Sequence, residues 1–128
     1  MRKHARAVSA EATGRIRRVG EPNLAVATSK TFRQLARIAG AAPSSEGIYV
    51  RRVITAADIA QIIKQLSGMS VAERRRIPGV SMSRAEQLLA GAIVAEAAVD
   101  LLEVSELVVC PWALREGIIL HRMDGLEP

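Results

Sequence analysis

Three hydroxyls and one ammonium fall on consecutive residues, Thr28, Ser29, Lys30 and Thr31, within the stretch "NLAVATSKTFRQLARIAG". An apolar run ends there and a helix-like pattern begins at once. A helix start leaves backbone N–H groups unpaired and carries partial positive charge, so such a turn can serve a phosphate oxygen. It is not a P-loop. The glycine-rich half of that motif is missing, and Ala25, Val26 and Ala27 stand where glycines would allow close approach. An ordinary helix N-cap accounts for the same residues equally well. Spacing alone leaves both readings open.

A second candidate is "RRRIPGVSMSRAEQLLAG", residues 74–91. Its Pro78-Gly79-Val80 hairpin resembles the helix-hairpin-helix of nonspecific DNA-binding proteins, in which backbone amides hold a phosphate. The match is imperfect, because the glycine usual two positions after Gly79 is Ser81. Arg74, Arg75 and Arg76 fit either phosphate ligands or a solvated face. No carboxylate pair, Cys–His couple or Ser–His–Asp set stands out, so no catalytic residue is singled out. Glu96, Asp100 and Glu103 share one side of a helix and read as structural carboxylates with partners. Cys110, beside Pro111 and Trp112, reads as a buried small residue rather than a nucleophile. With His4 and His121 the only histidines, a dedicated transition-metal site is not expected.

Charge is divided along the chain. Residues 1–84 hold sixteen of the eighteen Lys and Arg against five acids, whereas residues 85–128 hold two against eight. Such a split presents one cationic region to a polyanion: nucleic acid, a phosphorylated nucleotide or polyphosphate. The single cysteine excludes an internal disulfide and agrees with a reducing cytoplasm. No apolar stretch reaches the roughly 18 residues of a membrane span, and "MRKHARAVSAEATGRIRR" lacks the apolar block of a secretory signal.

The elements that must position these groups follow from periodicity. Only three aromatics occur, Phe32, Tyr49 and Trp112, so the core is aliphatic and alanine-rich, which favours close-packed helices. Residues 2–18 read as a helix with Ala5, Val8, Ala12 and Ile16 inward, stopped by Gly20 and Pro22. "NLAVAT" reads as a strand covered on both faces. Residues 30–39 form a short helix with Phe32, Leu35, Ala36 and Ala39 inward, ended by Gly40. "AAPSSEG" is a loop. "VRRVITAADIAQIIKQL" is an extended piece entering a helix, capped by Thr55 and Asp58. Ser70 with Glu73, and Ser83 with Glu86, repeat that capping spacing. The last of these helices is apolar nearly all round from Leu88 to Val99, and Gly91 within it predicts a close backbone approach. "ELVVCPW" is a second buried strand cut by Pro111, and "ALREGIILHRM" closes as a helix. Two strands among five or six helices indicate an α/β, helix-rich fold with a small sheet.

Three segments, "LAVATSKTFRQLARIAGAAPS", "IPGVSMSRAEQLLAGAIV" and "VVCPWALREGIIL", occur in this order and together resemble the C-terminal half of the exopolyphosphatase/guanosine pentaphosphate phosphohydrolase (Ppx/GppA) family, in its actinobacterial branch. The likeness covers about residues 1–122. Family members are built from two actin-like (ribonuclease H-like) ATPase-type domains, with phosphate chains bound in the cleft between them. The resemblance implies that residues 1–128 are part of the second domain. It places Thr28, Ser29 and Thr31 in that domain's "G-T-x-G-T" turn, with Ala27 and Lys30 replacing the glycines. It places Arg84 on an arginine facing the substrate channel, so the implied substrate-binding set is Thr28, Ser29, Lys30, Thr31 and Arg84. Arg115 and Glu116 fall in an "LREG" signature that braces the domain. Cys110 and Ala113 stand where many members have Ser and Gly.

The first domain, its water-activating glutamate and the "D-I-G-G-G-S" stretch find no counterpart here. The resemblance therefore implies a truncated member, inactive alone, whose partners are polyphosphate or guanosine pentaphosphate. It also implies a missing-domain partner or a homo-oligomer, because unpaired strand edges and bare apolar patches invite association. Family hydrolysis uses Mg2+, and no cofactor site is expected within this chain. A nonspecific nucleic-acid module, using segment 74–90 and the basic N-terminal helix, ranks second.

Overall fold

The computed structural model describes residues 1–125; residues 126–128, part of the expected domain span, lie outside it. Among the described residues six α-helices accompany a three-stranded sheet: α1 Arg2–Arg17, β1 Val26–Ala27, α2 Lys30–Ile38, β2 Val53–Thr55, α3 Ala56–Ser67, α4 Val71–Arg74, α5 Leu88–Leu101, β3 Glu106–Val109 and α6 Leu114–Asp124. Strand β3 is central. It runs parallel to β1, with Val26 facing Val108, and antiparallel to β2, with Ile54 facing Leu107. The α/β, helix-rich reading with a small sheet holds. The sheet has one strand more than the two expected: the extended piece before α3 is β2, paired antiparallel with β3.

Thr55 shows how local chemistry sets an element boundary. It ends β2 and caps α3: its hydroxyl accepts the Asp58 N–H at 3.1 Å, and Asp58 Oδ2 accepts the Thr55 N–H at 2.9 Å. Strand therefore becomes helix without a loop. Helix α3 then buries Ile59, Ile62, Ile63 and Leu66, a single apolar stripe at helical spacing. Ser70 and Glu73 close a second capping box on the one-turn α4. Hydrogen bonds from Ser70 hold the Glu73 carboxyl below its usual range.

The third expected box does not form. Residues 82–84 wind as a 3₁₀ turn, and α5 starts only at Leu88. Ala85 is driven fully into the core, so Glu86 is carried outward to Arg75 at 3.4 Å and never reaches an N3 position. Helix α5 is buried on several sides, through Leu88, Ala92, Ile93, Ala95, Ala97 and Val99. Gly91 permits the expected close approach, since a Cβ there would lie 3.0 Å from Thr31 Cγ2 of α2.

Helix α1 packs on α5 by a face that shares only Ala5 with the one expected. Thr13 is its one buried residue, with Ala5 and Ser9 half-buried, whereas Val8 and Ile16 are more than half exposed. Small residues four apart bring two backbones together where Val and Ile would hold them apart. The Thr13 hydroxyl is satisfied by the Ser9 carbonyl at 2.9 Å. Arg2–Glu96, Arg6–Asp100 and Arg17–Glu103 flank this contact, giving all three acids the partners expected of them. Each exposed pair contributes at most about 1 kcal/mol.

Strand β1 is shorter than "NLAVAT" and is not covered on both faces, since Leu24 and Val26 are exposed. In α2, Leu35 and Ala36 are buried and Phe32 half-buried, but Ala39 is exposed. Helix α6 begins where Glu116 Oε2 accepts the Ala113 N–H at 2.9 Å. That bond holds the Glu116 carboxyl below its usual range. Its apolar residues Leu114, Ile118, Ile119, Leu120 and Met123 all remain exposed. No helix among the described residues is long and apolar enough to cross a membrane.

The segment 77–80 is a tight turn in which Val80 N–H reaches the Ile77 carbonyl at 3.1 Å. Gly79 there has φ +87°, and a Cβ on it would fall 2.5 Å from Arg37 Cγ. Gly79→Ala thus meets both a disfavoured backbone region and a side chain that would have to shift near its root. It is expected to cost about 2 kcal/mol, seen as an earlier midpoint in urea denaturation. An unchanged midpoint would show that Arg37 yields freely.

Candidate functional site

Helix α2 carries Lys30, Arg33 and Arg37 at i, i+3 and i+7, which places three cations along one helical face. That face forms one side of an open cleft of about 530 Å³. The loop from Ala41 to Ile48 forms a second side, the turn from Gly79 to Arg84 a third, and Val109 with Pro111 the end of the sheet. Arg52 and Arg84 complete a set of five cations in its lining, which includes no Asp, Glu, His or Cys. Among the described residues none of the five is in an ion pair, because the paired arginines are Arg2, Arg6, Arg15, Arg17, Arg51 and Arg75. Five like charges around one concavity sustain a positive potential that favours an anion with several charges.

The expected binding residues divide between this cleft and its surroundings. Lys30 and Arg84 line it. Thr31 lies in an adjoining hollow of about 270 Å³, which it shares with Gln34, Arg84 and Gln87. Thr28 and Ser29 are exposed outside both linings. Ser29 is the N-cap of α2, and its hydroxyl accepts the Phe32 N–H at 3.3 Å. The ordinary-cap reading of the turn is therefore correct for Ser29, while Lys30, one residue on, supplies charge to the cleft. Arg33 and Arg37 are not among the expected residues, although their spacing to Lys30 is a signal that could have found them. Arg52 was not, because chain far from α2 brings it there.

The triple arginine contributes nothing to the lining. Arg74 Nη2 donates to the Leu66 carbonyl at 2.9 Å and so closes the end of α3, while Arg75 meets Glu86. Segment 74–90 is also not two helices about a hairpin, because α4 is one turn and α5 starts at Leu88. The cleft offers no carboxylate oxygen to Mg2+, and no group of three His, Cys, Asp or Glu occurs among the described residues. The residues present thus do not fit a Mg2+ site. A further hollow of about 580 Å³, between α1 and α5, is lined by Arg2 and Arg6 together with Glu96, Asp100 and Glu103. Its two arginines face three carboxylates, so it lacks the cleft's uniform positive sign.

Residues 1–125 match the family model of the Ppx/GppA phosphatase family. Exopolyphosphatase 1 of Mycobacterium tuberculosis is 49% identical over 116 residues, covering 91% of this chain and 34% of that protein. The Mycobacterium leprae exopolyphosphatase 1 is 49% identical over 106 residues, 83% of this chain and 31% of its own length. An uncharacterized Streptomyces coelicolor protein is 43% identical over 126 residues, 98% of this chain and 37% of that protein. The chain thus spans about a third of the length of the curated relatives it matches.

Among solved structures, a Ppx/GppA family member from Aquifex aeolicus superposes with a TM-score of 0.78 at 19% identity, over 98% of this chain and 42% of that one. An exopolyphosphatase from Cytophaga hutchinsonii gives 0.77 at 19% identity with the same coverage. The fold is accordingly a helix-rich portion of the actin-like (ribonuclease H-like) architecture with a small mixed sheet. With residues 1–125 matched and the architecture shared, the chain belongs to the Ppx/GppA phosphatase family.

Proposed function

We propose that this chain is one wall of a polyphosphate-binding cleft, formed by part of the second domain of a Ppx/GppA exopolyphosphatase. The observation that carries this reading is the set of five cations, unpaired among the described residues, around one open cleft of about 530 Å³. The ligand is a chain of phosphates, either inorganic polyphosphate or the phosphorylated end of guanosine pentaphosphate. The mycobacterial relatives are exopolyphosphatases by name, which supports the substrate class. A cytoplasmic setting agrees with the single free cysteine, Cys110.

Removing a terminal phosphate needs a base to activate water, and the lining supplies none. We assign that base to residues outside this chain. The purified chain is therefore expected to bind long-chain polyphosphate without releasing phosphate. Turnover by rigorously clean protein, abolished by a substitution inside residues 1–125, would overturn that assignment.

Binding itself should weaken steeply with salt, because each phosphate contact releases counterions. Arg84→Ala and Lys30→Ala are each expected to lower the slope of log affinity against log salt by roughly 0.7–0.9. Titrating the three proteins with long-chain polyphosphate across a salt series makes the measurement. Unchanged affinity and slope in both variants would remove these residues from the site.

The outer edge of β1 and the apolar side of α6 also need cover, as their exposed Leu24, Val26, Leu114 and Ile118 indicate. That cover is assigned to further polypeptide, either another copy of this chain or the first domain of the family. Sedimentation with thermal melting across a concentration series is expected to show association that raises the melting temperature. A cooperatively melting monomer whose melting temperature ignores concentration would show that no cover is required.

A further inference from the structure

Arg52 lines the cleft, yet its bonding separates it from the other four cations. Its carbonyl accepts the Val109 N–H at 2.8 Å, which ties the residue to β3. From that anchor the side chain reaches into the preceding loop. Nε donates to the Ala42 carbonyl at 2.7 Å and Nη2 to the Pro43 carbonyl at 2.6 Å. Nη1 donates to the carbonyls of Gly47 at 3.0 Å and Val50 at 2.9 Å. Four carbonyls from segment 42–50 thus converge on one guanidinium, which has no carboxylate partner among the described residues. Its neighbour Arg51 is instead paired with Glu106 at 3.6 Å, as alternation at a strand entrance requires.

We infer that Arg52 is the positioning residue of the cleft: it holds segment 42–50 as a wall and does not itself bind the anion. Segment 42–50 has little else to fix it. Its own backbone makes one 3₁₀ turn at Ser44–Glu46, and Ile48, Tyr49 and Val50 are exposed. Yet Ala42, Pro43, Ser44, Gly47 and Ile48 are cleft lining. With four of its five N–H donors engaged, the guanidinium has no fork left for phosphate. Its charge still adds to the potential of the cleft. A wall left unordered would have to be ordered at each binding event, and that entropy would subtract from affinity.

The inference rests on the polyanion reading above, so the experiment separates the two. Amide hydrogen exchange is measured over segment 42–50 and over α3 and α5, alongside polyphosphate titration in a salt series, for wild type, Arg52→Lys, Arg52→Gln and Arg84→Ala. Lysine keeps the charge but cannot span the four carbonyls. In Arg52→Lys, exchange over 42–50 is expected to quicken about tenfold with α3 and α5 unchanged. Affinity should fall about tenfold at an unchanged salt slope, since no phosphate contact is lost. Arg84→Ala should show the opposite pattern, a shallower slope and unaltered exchange. The inference is overturned by wild-type protection in Arg52→Lys, by loosened exchange without loss of affinity, or by loss of protection throughout α3 and α5. It is equally overturned if Arg52→Gln lowers the slope as Arg84→Ala does. Absence of salt-sensitive binding in the wild type would defeat the polyanion reading itself, and the exchange data would then report on the loop alone.

Discussion

Helix α5 carries two ionised side chains in fourteen residues, Glu96 and Asp100, and its remaining surface is apolar. Such a helix is stable in water only when other elements enclose it. Helices α1, α2 and α3 all pack against it, and fully burying a side chain such as Leu88 or Val99 stabilises by about 1.5–3 kcal/mol. Gly91 sets how near α2 can come, because Thr31 occupies the space that a Cβ would take. The cationic face of α2 is therefore placed by a contact made on a neighbouring face of the same helix. Position of charge follows from packing of apolar groups.

The same arrangement sorts the acids. The C-terminal part of the chain is acidic, and left alone it would cancel much of the positive potential. Instead Glu96, Asp100 and Glu103 meet arginines of α1, Glu86 meets Arg75, and Glu106 meets Arg51. The pairs are exposed apart from the half-buried Glu96, and each contributes little to stability. Their combined effect is on the field: these five carboxylates are engaged elsewhere and the cleft lining includes no acid, leaving Glu116, which acts on Arg33 from outside the lining, to temper its potential.

What was legible in the sequence was what neighbouring residues decide. Thr55 with Asp58 and Ser70 with Glu73 announced their caps, because capping involves four consecutive residues. Ser83 with Glu86 carries the same spacing and fails: residues 82–84 wind as a 3₁₀ turn, Ala85 is buried and Glu86 meets Arg75. Gly91 was readable as a close approach, although its partner, Thr31, lies sixty residues earlier. On α1 apolarity points to Val8 and Ile16, which are exposed, and only Ala5 agrees with the structure, because small size at Ala5, Ser9 and Thr13 decides contact with an alanine-rich helix. In the candidate site, Lys30 and Arg84 could be named from motifs, but Arg52 belongs to the cleft only through the pairing of β2 with β3.

The scarcity of aromatic residues has an optical consequence. The deepest core side chains, Leu35, Ile54, Ile59, Ile63 and Leu66, absorb no near-ultraviolet light. Tyr49 stands almost fully exposed on the loop gathered by Arg52, and Trp112 follows the cleft residue Pro111. Intrinsic fluorescence of this chain therefore originates at the margins of the cleft and not in its interior. A change in emission reports on the surroundings of those margins, while collapse of the aliphatic centre is largely dark.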